Sequence, residues 1–183
     1  MKHLIKRIIS RMQGEQDLEK LFKRGLVVGN NFHCMGGVII DPSHCWHIKI
    51  GDNVTLAPRV HILAHDASSK LFLDYTRVSN VTIGDNVFVG AGTIVLPGVS
   101  IGSNVVIGAG SVVSHDIPDG SVAMGNPAKV VKSLEDYLTR ERERMKENNT
   151  FGEEFTLRNS DFGEKERTKL IDSVKENGWI YVK

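Results

Sequence analysis

A six-residue repeat constrains the fold of this chain more than any other feature of its sequence. From Ile83 onward an aliphatic residue stands at every sixth position, at 83, 89, 95, 101, 107 and 113, and glycine follows it directly in four of these repeats. The 3.6-residue period of a helix does not produce this spacing, whereas a short strand that ends in a tight turn does. The pattern therefore predicts a series of short strands separated by bends.

Three such strands and three bends close one triangular turn of a coil, so each turn takes three repeats. Successive turns stack equivalent side chains and bury the faces that a single turn would expose. The fold class we predict is all-β, a parallel β-solenoid whose turns lie about 4.8 Å apart. The expected ladders are Ile83 on Ile101, Val89 on Ile107 and Val95 on Val113.

The repeat is interrupted twice upstream of Ile83. Positions 50, 56 and 62 keep the six-residue step, but 21 residues then separate Ile62 from Ile83, so residues 64–80 are predicted to project as a loop. Positions 28, 34 and 40 also keep the step, but ten residues separate Ile40 from Ile50. Long loops in compact repeat folds are usually functional. The register around His44 stays open.

Two flanks lie outside the coil, which divides the chain into a helical segment (1–24), the coil (25–132) and a helical extension (133–183). The first flank has an amphipathic helical pattern broken near Gly14 and is predicted to pack across the first turn of the coil. Because this flank also contains basic residues, contact with an anionic membrane surface is a second, less favoured interpretation. The apolar positions of the pattern are 4, 5, 8, 9, 12, 18, 21 and 22.

The second flank is predicted to hold two helices and a final extended segment. A charged helix is expected from Leu134 to Asn148, and Ser160 or Asp161 is expected to cap another that runs to about Glu176. Residues 179–183 are rich in β-forming side chains and are predicted to be a short strand or an extended segment.

Composition excludes several classes of protein. Lys and Arg total 23 against 22 Asp and Glu, a net charge of +1 that gives no whole-molecule attraction to nucleic acid or acidic membranes. No stretch approaches the roughly 20 apolar residues of a membrane span, and the opening apolar run is broken before it reaches signal-peptide length. Two cysteines, Cys34 and Cys45, cannot form a disulfide framework. We therefore expect a cytoplasmic protein.

The tandem hexads, the histidine in the long insertion and the segment from Gly125 to Val130 resemble the hexapeptide-repeat acyltransferases of the xenobiotic and sugar O-acetyltransferase branch, which includes galactoside and maltose acetyltransferases. The resemblance covers about residues 25–132. It implies a single-stranded left-handed parallel β-helix and a homotrimer with active sites between subunits. It also implies acetyl-coenzyme A as co-substrate, a sugar-type hydroxyl acceptor, a role in polysaccharide biosynthesis and no metal.

The resemblance places the general base at His65. A neutral imidazole can take a proton from a hydroxyl as it attacks a thioester and can later protonate the departing thiolate. An acid commonly fixes the tautomer of such an imidazole, and we choose Asp41 over Asp66 for this role. Asp66 is assigned to the acceptor or to capping its loop, and either acid can instead make a turn. His44 is the alternative base or an acceptor-binding residue.

The resemblance also implies a groove for coenzyme A along adjacent turns. The backbone at Gly90 and Ala91 matches the position of an oxyanion donor, and Phe88 matches an aromatic site or is simply exposed. Small residues let pantetheine approach the backbone, and basic residues match positions near the nucleotide phosphates. These groove residues are Ala109, Gly110, Ser114, His115, Lys129 and Lys132.

The sequence leaves several alternatives open. If one turn of 18 residues separated them, His47 would stack beneath His65. A zinc hydratase like the γ-class carbonic anhydrases would need His44, His61 and His65 to converge on one ion. The remaining alternatives are a serine or antibiotic acetyltransferase and a non-catalytic scaffold, while Cys45 as a covalent nucleophile is least favoured, because free cysteines are usually buried.

Overall fold

The computed structural model describes residues 16–183. The chain divides into two compact units, of which the first ends at Glu135 and the second comprises Asp136–Lys183. The apolar pattern between residues 4 and 12 lies outside the described residues. Within them, no helix is both long and apolar enough to cross a bilayer.

Three sheets form the walls of a coil in the first unit. Wall 1 consists of parallel strands β1 (Val27–Val28), β4 (Ile48–Ile50), β9 (Val81–Ile83) and β12 (Ser100–Ile101). Wall 3 consists of parallel strands β3 (Ile39–Ile40), β6 (His61–Ile62), β11 (Ile94–Val95) and β14 (Val112–Val113). Wall 2 consists of β2 (His33–Cys34), β5 (Thr55–Leu56), β10 (Val87–Val89), β13 (Val105–Ile107) and β15 (Ser121–Gly125), and it ends with β16 (Ala128–Ser133), which is antiparallel to β15.

The core is the set of aliphatic ladders inside these walls. Ile83 pairs with Ile101, Val89 with Ile107 and Val95 with Val113, which confirms the stacking expected from the repeat. All six side chains are buried. Each wall therefore consists of two- or three-residue strands that the ladders hold in register across turns.

The corner between walls 1 and 2 is built from stacked polar side chains. The Asn53 amide donates to Asn86 at 3.1 Å, and the Asn86 amide donates to Asn104 at 3.1 Å. These three asparagines have φ between 55° and 57°, a left-handed conformation that asparagine tolerates better than most residues. Beside them, Asp85 Oδ1 accepts a hydrogen bond of 2.8 Å from the Asp52 backbone N–H. The Gly/Asp/Asn sequence of this corner thus follows from its geometry.

Both interruptions of the repeat fall on the corner between walls 3 and 1, called corner 3–1 below. The shorter interruption follows β3 and contains a 3₁₀ turn at Cys45–His47. The longer one follows β6 and holds the antiparallel strands β7 (His65–Asp66) and β8 (Arg77–Val78), joined through the short helix α2 (Lys70–Leu73). The loop predicted at residues 64–80 is confirmed as a projection, and it is an ordered hairpin.

The expectation that His47 stacks beneath His65 is wrong. Ile48 pairs with Val81, so this turn of the coil is 33 residues long and includes the whole hairpin. His47 is therefore aligned with Asn80, and its Nδ1 is hydrogen-bonded to Asn80 Oδ1 at 2.8 Å. The 18-residue spacing applies only to turns that carry no insertion.

A short helix, α1 (Leu18–Lys23), covers the first turn of the coil. Asp17 caps it by accepting the Lys20 N–H, and Leu21 is buried in the core. The Gln16 side chain bonds both the N–H and the carbonyl of Ile40 at 2.7 Å. The described part of the first flank thus packs on the coil as predicted.

The C-terminal region contains α3 (Leu134–Arg144), a 3₁₀ turn at Glu147–Asn149 and α4 (Glu164–Asn177). Helix α3 ends four residues earlier than expected. Gly163 caps α4, not Ser160 or Asp161, because the Asp161 N–H donates to Asn159 Oδ1 within a preceding turn.

The final extended segment is confirmed, since β18 (Tyr181–Val182) pairs in parallel with β17 (Thr150–Phe151). The ring of Phe151 also packs edge-on against Phe155, with ring centroids 4.8 Å apart. The strand pair ties residues 181 and 182 into the second unit.

The tight spacing of turns predicts a stability effect at Gly84. A Cβ there would lie 2.8 Å from the backbone of Gly102 and Ser103 in the next turn. We expect Gly84→Ala to lower the free energy of unfolding by about 2–3 kcal/mol, measured by urea denaturation. Gly120→Ala is the control, since its φ of 66° adds strain but nothing lies within 4 Å of the added methyl. Its cost should be about 1 kcal/mol, and equal losses would contradict crowding as the cause.

Candidate active site

Corner 3–1 brings together Asp41, His44 and His65. One potential ligand atom from each lies within 4.8 Å of the others, and the two imidazole centroids are 4.8 Å apart. His44 follows β3 and His65 follows β6, which are neighbouring strands of wall 3. The three side chains therefore meet because the two interruptions occupy the same corner of adjacent turns.

Asp41 is fully buried and its carboxylate is saturated with contacts. Oδ1 accepts the backbone N–H groups of Ser43 at 3.0 Å and His44 at 3.1 Å. Oδ2 accepts the Ala64 N–H at 3.0 Å and also contacts His65 Nδ1. Burial is the largest single influence on the pKa of Asp41 and raises it, but the hydrogen bonds from His65, Ala64, Ser43 and His44 together lower it below its ordinary value. The carboxylate is therefore ionised.

The ionised Asp41 determines the tautomer of His65. A carboxylate can only accept hydrogen bonds, so the Nδ1 that contacts it carries a proton. Nε2 of the neutral imidazole then holds the lone pair. The His65 side chain is 30% exposed, whereas that of Asp41 is buried. This arrangement suits the imidazole to take a proton from a bound molecule.

His44 differs from His65 in how it is held. Its backbone is fixed by Asp41, but its ring Nδ1 is the one buried side-chain nitrogen or oxygen that has no hydrogen-bond partner in the described part of the chain. The ring packs against the rings of His65 and Trp46, with centroids 4.8 and 5.5 Å away. Aromatic contacts, not hydrogen bonds, position the imidazole.

The region around this histidine is anchored by α1. Arg24 donates to the Pro42 carbonyl at 2.8 Å, and the buried Cys45 thiol donates to the Leu21 carbonyl at 3.6 Å. Cys45 thus serves packing, and its complete burial argues against the covalent nucleophile considered above.

A cleft of about 720 Å³ opens beside His65. Its volume lies in the range usual for small-molecule sites, roughly 300–1,000 Å³. The hairpin and the two following turns of the coil form its sides. The lining residues are Leu63, His65, Asp66, Ala67, Arg77, Ser79, Leu96, Pro97 and Ser114.

Asp66 lines this cleft but is engaged within the hairpin. Its Oδ1 accepts the Ser68 N–H at 2.9 Å, and its Oδ2 pairs with Arg77 at 2.9 Å. The hydrogen bond from the Ser68 backbone, followed by one from the Ser68 side chain, lowers the pKa of Asp66, and the Arg77 charge adds to the effect. Asp66 makes the loop-capping contact that was one of its two sequence-based interpretations.

The expected coenzyme-groove residues lie on two different corners of the coil. Gly90, Ala91, Ala109 and Gly110 lie on the corner between walls 2 and 3, called corner 2–3 below, where β10 leads to β11 and β13 leads to β14. Ser114 and His115 lie on corner 3–1, where Ser114 Oγ is 2.9 Å from His115 Nδ1. Wall 3 lies between these two corners, so within one chain the two groups lie on opposite edges of that wall.

Backbone hydrogen bonds reduce the two expected oxyanion donors, Gly90 and Ala91, to one. The Gly90 N–H already donates to the Ile107 carbonyl at 2.9 Å, so the N–H of Ala91 is the available member of the pair. Phe88 points outward from wall 2 and is 46% exposed. On β16, Lys129 is exposed and Lys132 is partly buried.

Within one chain, the three histidines that the zinc alternative requires do not converge. Among the described residues, Asp41, His44 and His65 form the one group of three or more potential metal ligands with such close atoms. His61 lies on β6, within wall 3, and does not belong to this group.

Arg77 and Ser79 line the cleft but were not singled out from the sequence. Arg77 lies in the same insertion as Asp66. Opposite charges near the two ends of a non-periodic segment would have indicated an ion pair if the segment had been predicted to be a hairpin. Without the register of that hairpin, the pair could not be aligned.

The fold and site define a hexapeptide-repeat transferase. A family model described as bacterial transferase hexapeptide (six repeats) matches residues 80–115. The chain is 36% identical over 190 residues to Protein CapG of Staphylococcus aureus, a match that covers 97% of this chain and 98% of that protein. The chain therefore belongs to the hexapeptide-repeat transferase family, as its sequence resemblance indicated.

Two further relatives carry more specific names. The galactoside O-acetyltransferase of Escherichia coli is 38% identical over 112 residues, which cover 60% of this chain and only 54% of that protein. A solved structure of a galactoside acetyltransferase in complex with coenzyme A is similar with a TM-score of 0.53 and 30% identity. That match covers 65% of this chain and 70% of the solved one.

The saturated environment of Asp41 predicts a pH-dependent stability effect. Asp41→Asn places amide hydrogens against backbone N–H donors, and we expect it to lower the free energy of unfolding at pH 7 by about 1–3 kcal/mol. Because the native pKa is lowered, the carboxylate's contribution is complete above the ordinary value of 3.8 and is lost as the pH falls through the native value. Urea denaturation at several pH values measures the difference.

Asp66→Asn is the matched control, since that side chain is 32% exposed whereas that of Asp41 is buried, and its removal should have the smaller effect at pH 7. A difference between wild type and Asp41→Asn that stays constant from about pH 5 down to the acid limit of folding would contradict an ionised Asp41.

Proposed function

We propose that this protein is an acetyl-coenzyme A-dependent O-acetyltransferase that acetylates a hydroxyl of a sugar or sugar-containing acceptor, with His65 as general base. The observation that carries the proposal is the pairing of His65 with the buried Asp41 at the edge of a 720 Å³ cleft. Membership of a transferase family and the coenzyme A complex of a structural neighbour support the choice of thioester.

In the first step, His65 Nε2 takes the proton of the acceptor hydroxyl as its oxygen attacks the acetyl carbonyl carbon. Asp41 stabilises the imidazolium that forms, because its carboxylate faces the Nδ1–H and remains ionised. The product of this step is a tetrahedral oxyanion.

In the second step, the oxyanion collapses, the carbon–sulfur bond breaks and the imidazolium returns its proton to the leaving thiolate. The products are the O-acetyl ester and coenzyme A, with no acyl-enzyme. The Ala91 N–H is our choice for the oxyanion donor, since Gly90 N–H is already engaged in wall 2.

The division of the groove residues between two corners supports a site completed by a second copy of the chain. Corners 2–3 and 3–1 are the two borders of wall 3, so copies that pack around this wall can place corner 2–3 of one beside corner 3–1 of the next. We infer a homotrimer of left-handed coils, as in the family. In it His65 and Asp41 come from one subunit and the Ala91, Ala109 and Gly110 backbone from its neighbour.

We assign the two ends of coenzyme A to groove residues from the size and charge of their side chains. Small residues at corner 2–3 let pantetheine approach the backbone, while Lys129 and Lys132 supply positive charge for the phosphates. Ser114 and His115 lie at the corner next to His65, and Phe88 flanks the groove on wall 2. We place the protein in the cytoplasm, where acetyl-coenzyme A is available, and infer from the CapG likeness that the acceptor belongs to polysaccharide biosynthesis.

Removing the base tests the proposed chemistry directly. We expect His65→Ala to lower kcat by roughly 10²–10⁴ while changing the KM for acetyl-coenzyme A little, because the imidazole acts on the acceptor proton. Thiol release with a panel of methyl glycosides measures both parameters. His33→Ala is the control, as His33 is exposed on β2 and contacts Asn31. Near-normal turnover of His65→Ala would move the base to His44.

Subunit mixing tests whether the site lies between copies. His65→Ala removes the base, and Ala109→Trp is expected to fill the groove, because residue 109 is exposed at corner 2–3. Each variant alone should be inactive. Co-expression in equal amounts should restore about one quarter of the wild-type activity, since a random pair of neighbours supplies both intact halves at that frequency. No recovery in mixed oligomers would place both halves in one chain.

A further inference from the structure

Trp46 is half exposed beside the candidate active site, which is unusual for so large an aromatic side chain. Its relative exposure is 50%, although indole rings are on average highly buried. It lies in the 3₁₀ turn Cys45–His47, in the shorter interruption of the repeat. An exposed ring at this position needs an explanation other than packing of its own chain.

A continuous row of aromatic rings connects Trp46 to His65. The centroid of Trp46 lies 5.5 Å from that of His44, and His44 lies 4.8 Å from His65. Trp46 also packs 5.9 Å from His47, whose ring centroid lies 6.5 Å from that of His44. These two contacts place the Trp46 ring within about 10 Å of the ring of the proposed base.

The turn that carries Trp46 is held rigidly before any ligand arrives. Cys45 is buried and donates to Leu21, and His47 is hydrogen-bonded to Asn80. Gly25, at a φ of 102°, lies so close that a Cβ there would be 3.0 Å from Trp46 Cβ. A platform fixed in this way loses little conformational freedom when it binds a ligand.

The order of the turns along corner 3–1 separates the two substrates. Trp46 and His44 belong to the first turn, His65 to the second, and the cleft residues Leu96 and Ser114 to the third and fourth. If the thioester lies in the cleft, as the proposed function requires, it occupies the side of His65 that faces the third and fourth turns. Asp41 and His44 cover the side that faces the first turn, so the acceptor hydroxyl must reach Nε2 past the outer edge of the two imidazole rings, where Trp46 is exposed.

The chemistry of this surface suits a neutral ring with hydroxyl groups. Trp46 offers an aromatic face whose negative charge attracts the C–H bonds of a pyranose, and the partly exposed ring of His44 lies beside it. The carboxylate of the cluster, Asp41, is buried and fully engaged, so it does not attract a cationic acceptor.

We propose that Trp46 and His44 form the acceptor subsite, in which a pyranose ring stacks on the indole and presents its hydroxyl to His65. This inference rests on the proposed acetyl transfer and names the part of the protein that selects a sugar as acceptor.

Fluorescence tests the stacking without depending on turnover. The chain has two tryptophans, Trp46 and Trp179, so Trp179→Phe leaves Trp46 as the sole indole emitter. The probes are methyl β-D-galactopyranoside, methyl α-D-glucopyranoside and methyl N-acetyl-β-D-glucosaminide, with glycerol as a hydroxyl compound that has no ring. We expect a saturable change in emission with at least one pyranoside and none with glycerol. The matched variant Trp46→Phe should show no change, and the absence of saturable change with every pyranoside would overturn the proposal.

Kinetics separates this proposal from the proposed function. Trp46→Ala should raise the KM for the pyranosides about tenfold or more and leave the KM for acetyl-coenzyme A unchanged, while Trp46→Phe recovers most of the loss. The reaction with glycerol should be unaffected. If acetyl transfer proceeds with an unchanged pyranoside KM in Trp46→Ala, the subsite is wrong and the proposed function stands. If no acceptor releases thiol in the wild type, the proposed function fails, and the fluorescence result alone decides the stacking.

An assembly role for Trp46 has its own signature. Size-exclusion chromatography of Trp46→Ala should show the wild-type oligomer. A change of oligomeric state with no change in pyranoside KM would overturn the subsite and assign the exposed indole to a subunit contact.

Discussion

The site depends on one buried carboxylate that ties together two turns of the coil. Asp41 accepts backbone hydrogen bonds from its own turn, at Ser43 and His44, and from the next turn, at Ala64. The same carboxylate contacts His65 Nδ1. An uncompensated buried carboxylate would be costly, so its partners must be held in place, and holding them places both imidazoles. The chain thus uses one polar cluster to close its irregular corner and to orient a candidate base.

The other two corners leave little room for such a site. The corner between walls 1 and 2 is filled by stacked asparagine and aspartate side chains, and at corner 2–3 a Cβ on Gly90 would lie 2.5 Å from the Ala109 backbone nitrogen. At these two corners the backbone of each turn must follow the same path as that of the next turn, because regular strands flank the corner on both sides. Corner 3–1 is free of this requirement wherever an insertion leaves and rejoins the coil. The candidate base and its carboxylate partner therefore lie where the repeat is broken, while the repeat itself supplies a rigid support.

The sequence was most informative where its period was unbroken. The ladders from Ile83 to Val113 follow from spacing alone, because a displaced strand would turn its aliphatic residue out of the core. The role of Asp41 as partner of His65 was an expectation from chemistry, and the structure places the two side chains in contact. The predicted position of His47 was wrong, because the prediction assumed a turn of 18 residues, whereas the hairpin lengthens this turn of the coil to 33 residues. The Asp66–Arg77 pair was missed for the same reason, since a non-periodic insertion gives no register before its hairpin is known.

The most direct measurement of the central claim is the protonation pattern of His65 by long-range ¹H–¹⁵N correlation NMR at neutral to mildly alkaline pH, with its signals assigned by comparison with His65→Gln. Asp41 should hold the proton on Nδ1, so we expect a protonated Nδ1 and an unprotonated Nε2 in the wild type, with this preference weakened in Asp41→Asn. A neutral His65 with its proton on Nε2 would contradict the claim, because that nitrogen would then have no lone pair with which to accept the proton of a hydroxyl.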